Sequence, residues 1–296
     1  LTTLTPPLPE DRVREARIFE ITGIDLCGPL ILRDGTKSWI VLFTCAVFRA
    51  GHLELVTSLS TENFILALRR FISRRGRPST INSDNGTDLV GTSNELKNID
   101  WKKLKDHGSL KRINWKLNPP SSPWWGGFWE RLIGMLKIIL RRILGKARLT
   151  YEELYTIVCD SESVINSRPL TYLSEDQEDL VALTPAMFLQ EIKENGVPDL
   201  DVIDSQRMNR RFAYRQSIRQ ELRKRFRIEC LGQLRNFSQS QKEDVIKESD
   251  IDLIGDTNSK GIYWPLAKVM KLIPGRDGRV RVVEVSTGGG SFLRPR

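Results

Sequence analysis

A near-continuous apolar run from Trp39 to Phe48 limits the possible folds more than any other feature of the sequence. Turn-forming pairs, Asp34-Gly35 and Ala50-Gly51, precede and follow this run. Beyond the two turns, apolar residues recur over Arg17–Leu30 and His52–Val56. Apolar segments of strand length that are separated by short turns are typical of antiparallel strands. The sequence therefore predicts a three-stranded antiparallel meander near the start of the chain.

A helix and a fourth strand are predicted to follow the meander. Ser60 or Thr61 can cap this helix, Glu62 suits its first turn, and Arg74-Arg75-Gly76 ends it. Pro78–Ser83 has the length and composition of a short strand. The apolar residues of the helix recur at helical spacing and predict one buried face, which comprises Phe64, Leu68, Phe71 and Ile72.

The pattern of a strand followed by a helix is then repeated. Arg112–Leu117 alternates as a fifth strand, and the Pro- and Gly-rich segment Asn118–Gly127 is predicted to be a loop. A long helix comes next, and Thr150–Ser167 is predicted to form another. Strands interleaved with helices indicate the α/β class. The predicted apolar stripe of the long helix comprises Phe128, Leu132, Met135, Leu136, Ile139 and Ile143.

Three carboxylates fall where these elements would meet at one edge of a sheet. Asp25 interrupts an apolar strand, where an ionised side chain is costly unless it is paired or bound to a metal. Asp84 follows the fourth strand, although Asp-Asn-Gly is also an ordinary turn triplet. Glu130 begins the long helix, where a carboxylate can simply complement the helix dipole. If strands one and four are neighbours, the carboxylates converge and favour Mg²⁺ between them.

A second face of the long helix carries Glu130, Gly134, Lys137 and Arg141 at helical spacing. The two cations suit an anionic ligand, and the small Gly134 leaves room for a bulky ligand to approach. Alternatively, Lys137 and Arg141 complement the dipole near the helix C-terminus. The spacing alone does not separate these two interpretations.

The formal net charge of +9 is concentrated in one segment. Between Ser205 and Arg235 there are ten Lys/Arg and two Asp/Glu residues, which gives 10 − 2 = +8. Too few acidic residues are present to neutralise this segment by pairing, so nucleic acid is favoured over a solvated helix face. No apolar run is long enough for a membrane span. Six arginines recur at four-residue intervals and would wind around a helix: Arg207, Arg211, Arg215, Arg219, Arg223 and Arg227.

Several motifs together resemble the DD(E) integrases of retroviruses and long-terminal-repeat retrotransposons. They are Gly23-Ile24-Asp25-Leu26-Cys27-Gly28-Pro29, Ser83-Asp84-Asn85-Gly86-Thr87, and Asn118-Pro119-Pro120 through Trp129-Glu130-Arg131-Leu132 with Lys137. The Trp124-Trp125-Gly126-Gly127 loop and the C-terminal Trp264-Pro265-Leu266-Ala267-Lys268 and Pro274-Gly275-Arg276-Asp277-Gly278 segments look most like the BEL/Pao branch. The resemblance covers roughly residues 15–296.

The resemblance implies a ribonuclease-H-like core in which Asp25, Asp84 and Glu130 hold two Mg²⁺ or Mn²⁺ ions. The family trims the 3′ ends of element DNA with water and joins them to target DNA by transesterification. It acts as a homo-oligomer (dimer, tetramer or higher), in the nucleus and in cytoplasmic element particles. The resemblance implies that Lys137 contacts element-end DNA. It also implies that Asn85 shapes the turn at the metal site, and we expect Asn85 to contact DNA as well. Helical spacing adds Arg141, and the arginine series from Arg207 to Arg227 extends the predicted DNA-binding surface.

Four regions are expected along the chain. Residues 1–16 form an N-terminal linker, and residues 17–175 form the ribonuclease-H-like core of a five-stranded mixed sheet with flanking helices. Residues 176–244 form a linker with a basic helix, and residues 245–296 form a C-terminal SH3-like DNA-binding β-barrel. The barrel is predicted from strands near Ile251–Ile254, Trp264–Leu272 and Arg279–Val285.

The sequence departs from the family pattern in two places. The stretch between Asp84 and Glu130 is long for the family, and we interpret Thr92–Leu110 as an insertion before strand five. The family's N-terminal His/His/Cys/Cys zinc module is missing from this sequence, which begins at Leu1 and is expected to be part of a longer chain. A second hypothesis therefore stands beside the enzyme: an integrase-derived DNA-binding protein that no longer catalyses. A ribonuclease H would leave the basic segment and the barrel unexplained.

Overall fold

A computed structural model describes residues 10–83, 113–117, 126–144, 149–172, 181–190, 246–253, 266–275, 280–287 and 290–295. These residues divide into two compact units, which are treated separately. The first contains the described residues up to Ile165, and the second contains those from Asn166 onward.

The first unit is built on a five-stranded mixed sheet with strand order β3-β2-β1-β4-β5. Strands β1, β2 and β3 pair antiparallel, which confirms the predicted meander, whereas β4 runs parallel to β1 and β5 runs parallel to β4. The five predicted strands and the predicted α/β class of the fold are therefore confirmed. Their bounds are β1 (Ile21–Ile31), β2 (Lys37–Cys45), β3 (Gly51–Val56), β4 (Thr80–Ser83) and β5 (Asn114–Leu117).

In the described part of the chain, three α-helices accompany this sheet: α1 (Thr61–Arg75), α2 (Gly127–Leu144) and α3 (Tyr151–Asn166). Ser60 caps α1, because its side chain accepts the backbone N–H of Asn63 at 3.3 Å. Gly76 ends the helix with φ 92°, a conformation that favours glycine, and its N–H reaches the carbonyl of Ile72. Both ends of α1 therefore lie where the sequence placed them.

One part of the core of the first unit lies between the sheet and α1. Phe71 of α1 stacks on Phe43 of β2 with ring centroids 4.3 Å apart, and Phe19 meets Phe71 edge-on at 5.3 Å. All three rings are almost fully buried. Aromatic side chains bury large apolar areas, so this contact fixes α1 on one face of the meander.

A charged cluster, with His52 and Glu54 buried at its centre and arginines at its rim, joins β3, α1 and α3. Nε2 of His52 lies 3.0 Å from Oε1 of Glu54, and Nδ1 of His52 lies 3.3 Å from Oε1 of Glu162. Glu54 also accepts from Nε of Arg70 at 2.6 Å and Nη1 of Arg74 at 3.1 Å. Sequence reasoning did not detect this cluster, because Glu162 is distant in the chain and no local motif joins it to His52.

The carboxylates and the imidazole of this cluster shift one another's pKa values. Burial alone would raise the pKa of Glu54. The hydrogen bonds from His52 and Arg70 outweigh the effect of burial, and the pKa of Glu54 therefore lies below its usual range. The pKa of Glu162 is lowered against burial in the same way, chiefly by His52. Burial would lower the pKa of His52, yet its bonds to Glu162 and Glu54 raise it. The cluster therefore favours an imidazolium between two carboxylates.

The second unit contains a four-stranded antiparallel sheet with strand order β11-β10-β9-β8. Its small core comprises Ala267, Val269, Val283 and Val285. The structure thus confirms a separate C-terminal antiparallel sheet, whereas the SH3-like barrel stays a prediction. The strands among the described residues of this unit are the short pair β6 (Thr171–Tyr172) and β7 (Ala182–Leu183), then β8 (Ile251–Leu253), β9 (Leu266–Pro274), β10 (Val280–Thr287) and β11 (Gly290–Pro295).

Several predicted features lie outside the described residues. They include Asp84 and Asn85, the loop up to Trp125, the insertion Thr92–Leu110 and the basic segment Ser205–Arg235 with its six arginines. No helix in the described part of the chain is long and apolar enough to cross a bilayer. The boundaries between the four expected regions remain predictions.

Candidate active site

Asp25 lies in the central strand of the five-stranded sheet. It is half-buried and stands opposite Leu42 in the antiparallel pairing of β1 with β2. Its Oδ1 accepts the backbone N–H of Leu26 at 2.7 Å, a bond that fixes the orientation of the carboxylate. The β1–β2 register shifts between Cys27 and Leu30, just beyond Asp25.

The parallel pairing of β1 with β4 ends directly beside Asp25. In this register Ile24 is the partner of Ser83, the last residue of β4. The Ser83 hydroxyl is buried and has no hydrogen-bond partner among the described residues. Asp25 and Asp84 are each the next residue in sequence after one member of this pair. The predicted adjacency of strands one and four is therefore confirmed up to Ser83, the last residue described before Asp84.

The first turn of α2 lies on β1. The Trp129 ring covers Gly23, and Phe128 packs with Ile21 and Ala46 in one apolar cluster. The backbone N–H groups of Trp129 and Glu130 both donate to the carbonyl of Gly126 at 3.0 Å and start the helix. The predicted loop-to-helix junction thus lies on the strand that carries Asp25.

Side chains alternate between the two faces of a strand, so Gly23 and Asp25 share the face on which Trp129 lies. Glu130 directly follows Trp129 and is exposed in the first turn of α2. The structure therefore brings the elements that carry Asp25 and Glu130 together on one face of the sheet. Lys137 lies about two turns further along α2 and is half-buried, and Arg141 lies in the same helix.

The described residues contain no group of three or more His, Cys, Asp or Glu side chains placed to hold a metal ion. The predicted triad includes Asp84, which lies outside those residues, so the triad as a set is not described. Carboxylate oxygen is the ligand type that Mg²⁺ prefers, and Asp25 and Glu130 supply it from adjoining elements. The donor set that the sequence predicted therefore fits a hard divalent cation.

Gly23 is the contact on which the position of α2 depends. A Cβ at this position would overlap Cε3 of Trp129 and lie 2.9 Å from Cε2 of Phe128. We expect Gly23→Ala to displace the first turn of α2 and to lower the free energy of unfolding by about 1–3 kcal/mol, as overpacking does. Denaturant titration followed by tryptophan fluorescence measures this change.

Gly134→Ala in the same helix is the matched control for that substitution. A Cβ there meets nothing within 4 Å, so replacing a helical glycine should stabilise the protein by about 0.5–1 kcal/mol. If Gly23→Ala were as stable as the unchanged protein, the Trp129 contact would not position α2.

Three arginines lie near the start of α2, and two of them lie over the Phe128 ring. The guanidinium carbons of Arg12 and Arg49 lie 5.7 Å and 5.4 Å from the centre of the Phe128 ring. Arg131 follows on α2 and is close enough to lower the pKa of both. Sequence reasoning placed Arg12 in a linker and did not single out Arg49. These arginines come from three separate segments, so no single sequence motif joins them, although Arg131 lies in the Trp129-Glu130-Arg131-Leu132 motif.

Comparison with known proteins gives a family match at one end of the chain. Residues 210–296 match a family of unknown function, DUF5641. No curated protein matches the chain.

Solved structures with similarity to this chain include integrases of retroviruses. A chain of the simian T-cell lymphotropic virus intasome in complex with the PP2A regulatory subunit B56 gamma is 14% identical, with 98% of this chain and 81% of that chain covered and a TM-score of 0.41. The HTLV-2 integrase catalytic core domain in complex with magnesium is 16% identical in its trimeric form, with 60% of this chain and 100% of that chain covered and a TM-score of 0.40. Its dimeric form is 18% identical at the same coverage, with a TM-score of 0.39. These similarities are distant, and the functional proposal rests on the residues and contacts of this chain.

Proposed function

We propose that this chain is a retroelement integrase, a metal-dependent polynucleotidyl transferase with a ribonuclease-H-like core. It trims the 3′ ends of element DNA and joins them to target DNA. The observation that carries the proposal is the pairing of Ile24 with Ser83 on the neighbouring parallel strands β1 and β4. Asp25 is the next residue in sequence after Ile24, and Asp84 is the next residue in sequence after Ser83. The contact of Trp129 with Gly23 adds the helix turn that bears Glu130.

The residues that would hold the metal are Asp25, Asp84 and Glu130. When bound, a pair of divalent ions supplies activation of the attacking oxygen and stabilisation of the leaving oxygen in phosphodiester chemistry. The chain contributes position: the Leu26 N–H orients the Asp25 carboxylate, and the packing of Trp129 holds the Glu130 turn against the same strand. A reacting phosphate can then be held in a fixed geometry, which accounts for much of the barrier reduction in such reactions.

The finer parts of the proposal follow from the sequence motifs. Lys137, Arg141, Asn85 and the six arginines from Arg207 to Arg227 are assigned to DNA. Either Mg²⁺ or Mn²⁺ serves, with two ions per site. The chain acts as a homo-oligomer that holds two DNA ends, in the nucleus and in cytoplasmic element particles. The BEL/Pao branch and an SH3-like C-terminal domain complete the assignment.

A strand-transfer assay tests this function. The substrates are pre-trimmed duplexes with the terminal sequences of the proposed element, and plasmid serves as the target DNA. We expect joined products with Mn²⁺ or Mg²⁺, none with a chelator, and recovery when the metal is restored. If DNA binds but no joined product forms with either metal, the chain is an integrase-derived DNA-binding protein without catalysis.

A further inference from the structure

Phe128 has two guanidinium groups over its ring and a third arginine one helical turn away. Arg12 belongs to the turn Glu10–Arg12, Arg49 lies between β2 and β3, and Arg131 lies in the first turn of α2. The arginine cluster (Arg12, Arg49 and Arg131) is therefore assembled by three segments that are far apart in the chain. Such convergence depends on the fold and not on a local charge run.

The members of the arginine cluster repel one another in a partly desolvated position. Burial is the largest cause of the lowered pKa of Arg49, which falls to about 10, and the charges of Arg12 and Arg131 lower it further. Burial and then Arg131 lower the pKa of Arg12. The Arg12 Nε is buried and has no hydrogen-bond partner in the part of the chain that the structure describes. An anion at this position would relieve both the repulsion and the unmet hydrogen bond.

We infer that Arg12, Arg49 and Arg131 form a binding site for one phosphate group of a nucleic-acid backbone. Guanidinium groups present planar pairs of donors that match phosphate oxygens, and they are the usual choice where several must converge on one phosphate. The site is sequence-independent, since it offers charge and donors without a groove-reading element.

The position of the arginine cluster explains what a phosphate there would do. Arg131 directly follows Glu130, and Phe128 precedes Trp129, which covers Gly23 on the strand of Asp25. A backbone phosphate held by the cluster lies beside the first turn of α2 and fixes the path of the strand past the proposed catalytic carboxylates. The identity of the nucleic acid as DNA rests on the proposed function, whereas the phosphate site rests on the cluster itself.

Salt dependence of DNA binding tests the site without requiring catalysis. The full chain is titrated with a fluorescent duplex in the presence of a chelator, between about 50 and 200 mM salt, where counterion release dominates affinity. We expect Arg49→Gln and Arg12→Gln each to weaken binding severalfold, equally for unrelated duplex sequences, and to reduce the slope of log affinity against log salt by about one.

Arg69→Gln removes the same charge from an exposed position on α1 and is the matched control. It should leave the salt slope unchanged. Because binding is measured without metal, a fall in slope with no strand transfer would support the phosphate site and contradict the proposed enzyme. An unchanged slope with normal strand transfer would contradict the site alone.

Thermal unfolding with inorganic phosphate separates the phosphate site from a structural cluster. At matched ionic strength, phosphate should raise the Tm of the unchanged protein more than chloride does, and Arg49→Gln should lose that difference. Arg49→Gln could instead lower Tm and leave the slope of log DNA affinity against log salt unchanged. In that case the arginines only pack on Phe128, and the phosphate site is refuted. If free phosphate stabilises the protein but the variants show the same salt dependence of DNA binding as the unchanged protein, the assignment of the site to nucleic acid is refuted.

Discussion

Asp25→Asn should reduce strand transfer by more than about 100-fold while leaving the fold intact, because metal-ion catalysis depends on the charge of the ligand carboxylates. The asparagine keeps the side-chain oxygen that accepts the Leu26 N–H, so the local geometry of β1 is preserved. What it loses is the negative charge that would face the metal. Joined product is measured on gels with labelled, pre-trimmed ends, and unfolding is followed in parallel.

Asp34→Asn is the matched control for Asp25→Asn, because it makes the same chemical change in the turn of the same hairpin. Asp34 is exposed. Its Oδ1 accepts two hydrogen bonds from Thr36, one from the backbone N–H at 2.9 Å and one from the side-chain hydroxyl at 2.7 Å. We expect full strand transfer from this variant. Undiminished product from Asp25→Asn would remove Asp25 from the catalytic set, and the enzyme assignment would lose its central residue.

Glu54→Gln should lower the free energy of unfolding by about 3 kcal/mol or more, because removing one charge of a buried ion pair leaves the other charge without its partner. The Glu54 side chain is fully buried and accepts hydrogen bonds from Arg70, Arg74 and the His52 ring. The amide keeps the shape but removes the charge, which leaves a buried imidazolium short of one counter-ion. Urea titration at fixed pH measures the loss.

The pH dependence of stability identifies the same cluster as the cause. The pKa of Glu54 is lowered on folding, so its contribution is present above the unfolded value near 4.5 and is lost as pH falls through the folded pKa. The pKa of His52 is raised, so its contribution is present below about 6.5 and is lost as pH rises through the folded pKa. The cluster therefore stabilises the fold most between these limits.

In Glu54→Gln, the difference in stability between pH 5.5 and pH 8 should shrink, since the imidazolium has lost one of its two carboxylates. Glu15→Gln changes an exposed carboxylate and should leave the profile unchanged. An unaltered pH profile in Glu54→Gln would mean that His52 is not stabilised by this carboxylate.

The elements of the first unit could be predicted from sequence because their signals are local. The apolar runs and turns placed β1 to β3, Ser60 and Gly76 placed the ends of α1, and the apolar residues from Phe128 placed α2. The bounds shifted by a few residues: the first strand begins at Ile21 and the fifth at Asn114. Strand ends depend on which backbone groups find partners across the sheet, and local composition does not set that.

Contacts between distant segments were not predictable in the same way. The His52–Glu162 pair joins β3 to α3. Arg12 and Arg49 meet over the Phe128 ring, and Arg131 is close enough to lower the pKa of both. Each residue taken alone is an ordinary surface type, so no periodicity marks it. Their burial and their shifted pKa values arise after the sheet and the helices pack together.

The sequence by itself determined the meander, the helices that follow it and the three candidate carboxylates, because spacing and turn residues act over short distances. Only the tertiary structure decided the register of these strands, which sets Leu42 opposite Asp25 and Ser83 opposite Ile24. It also decided that Trp129 lies on Gly23, because close packing of a ring against a strand requires a residue without Cβ at that one point.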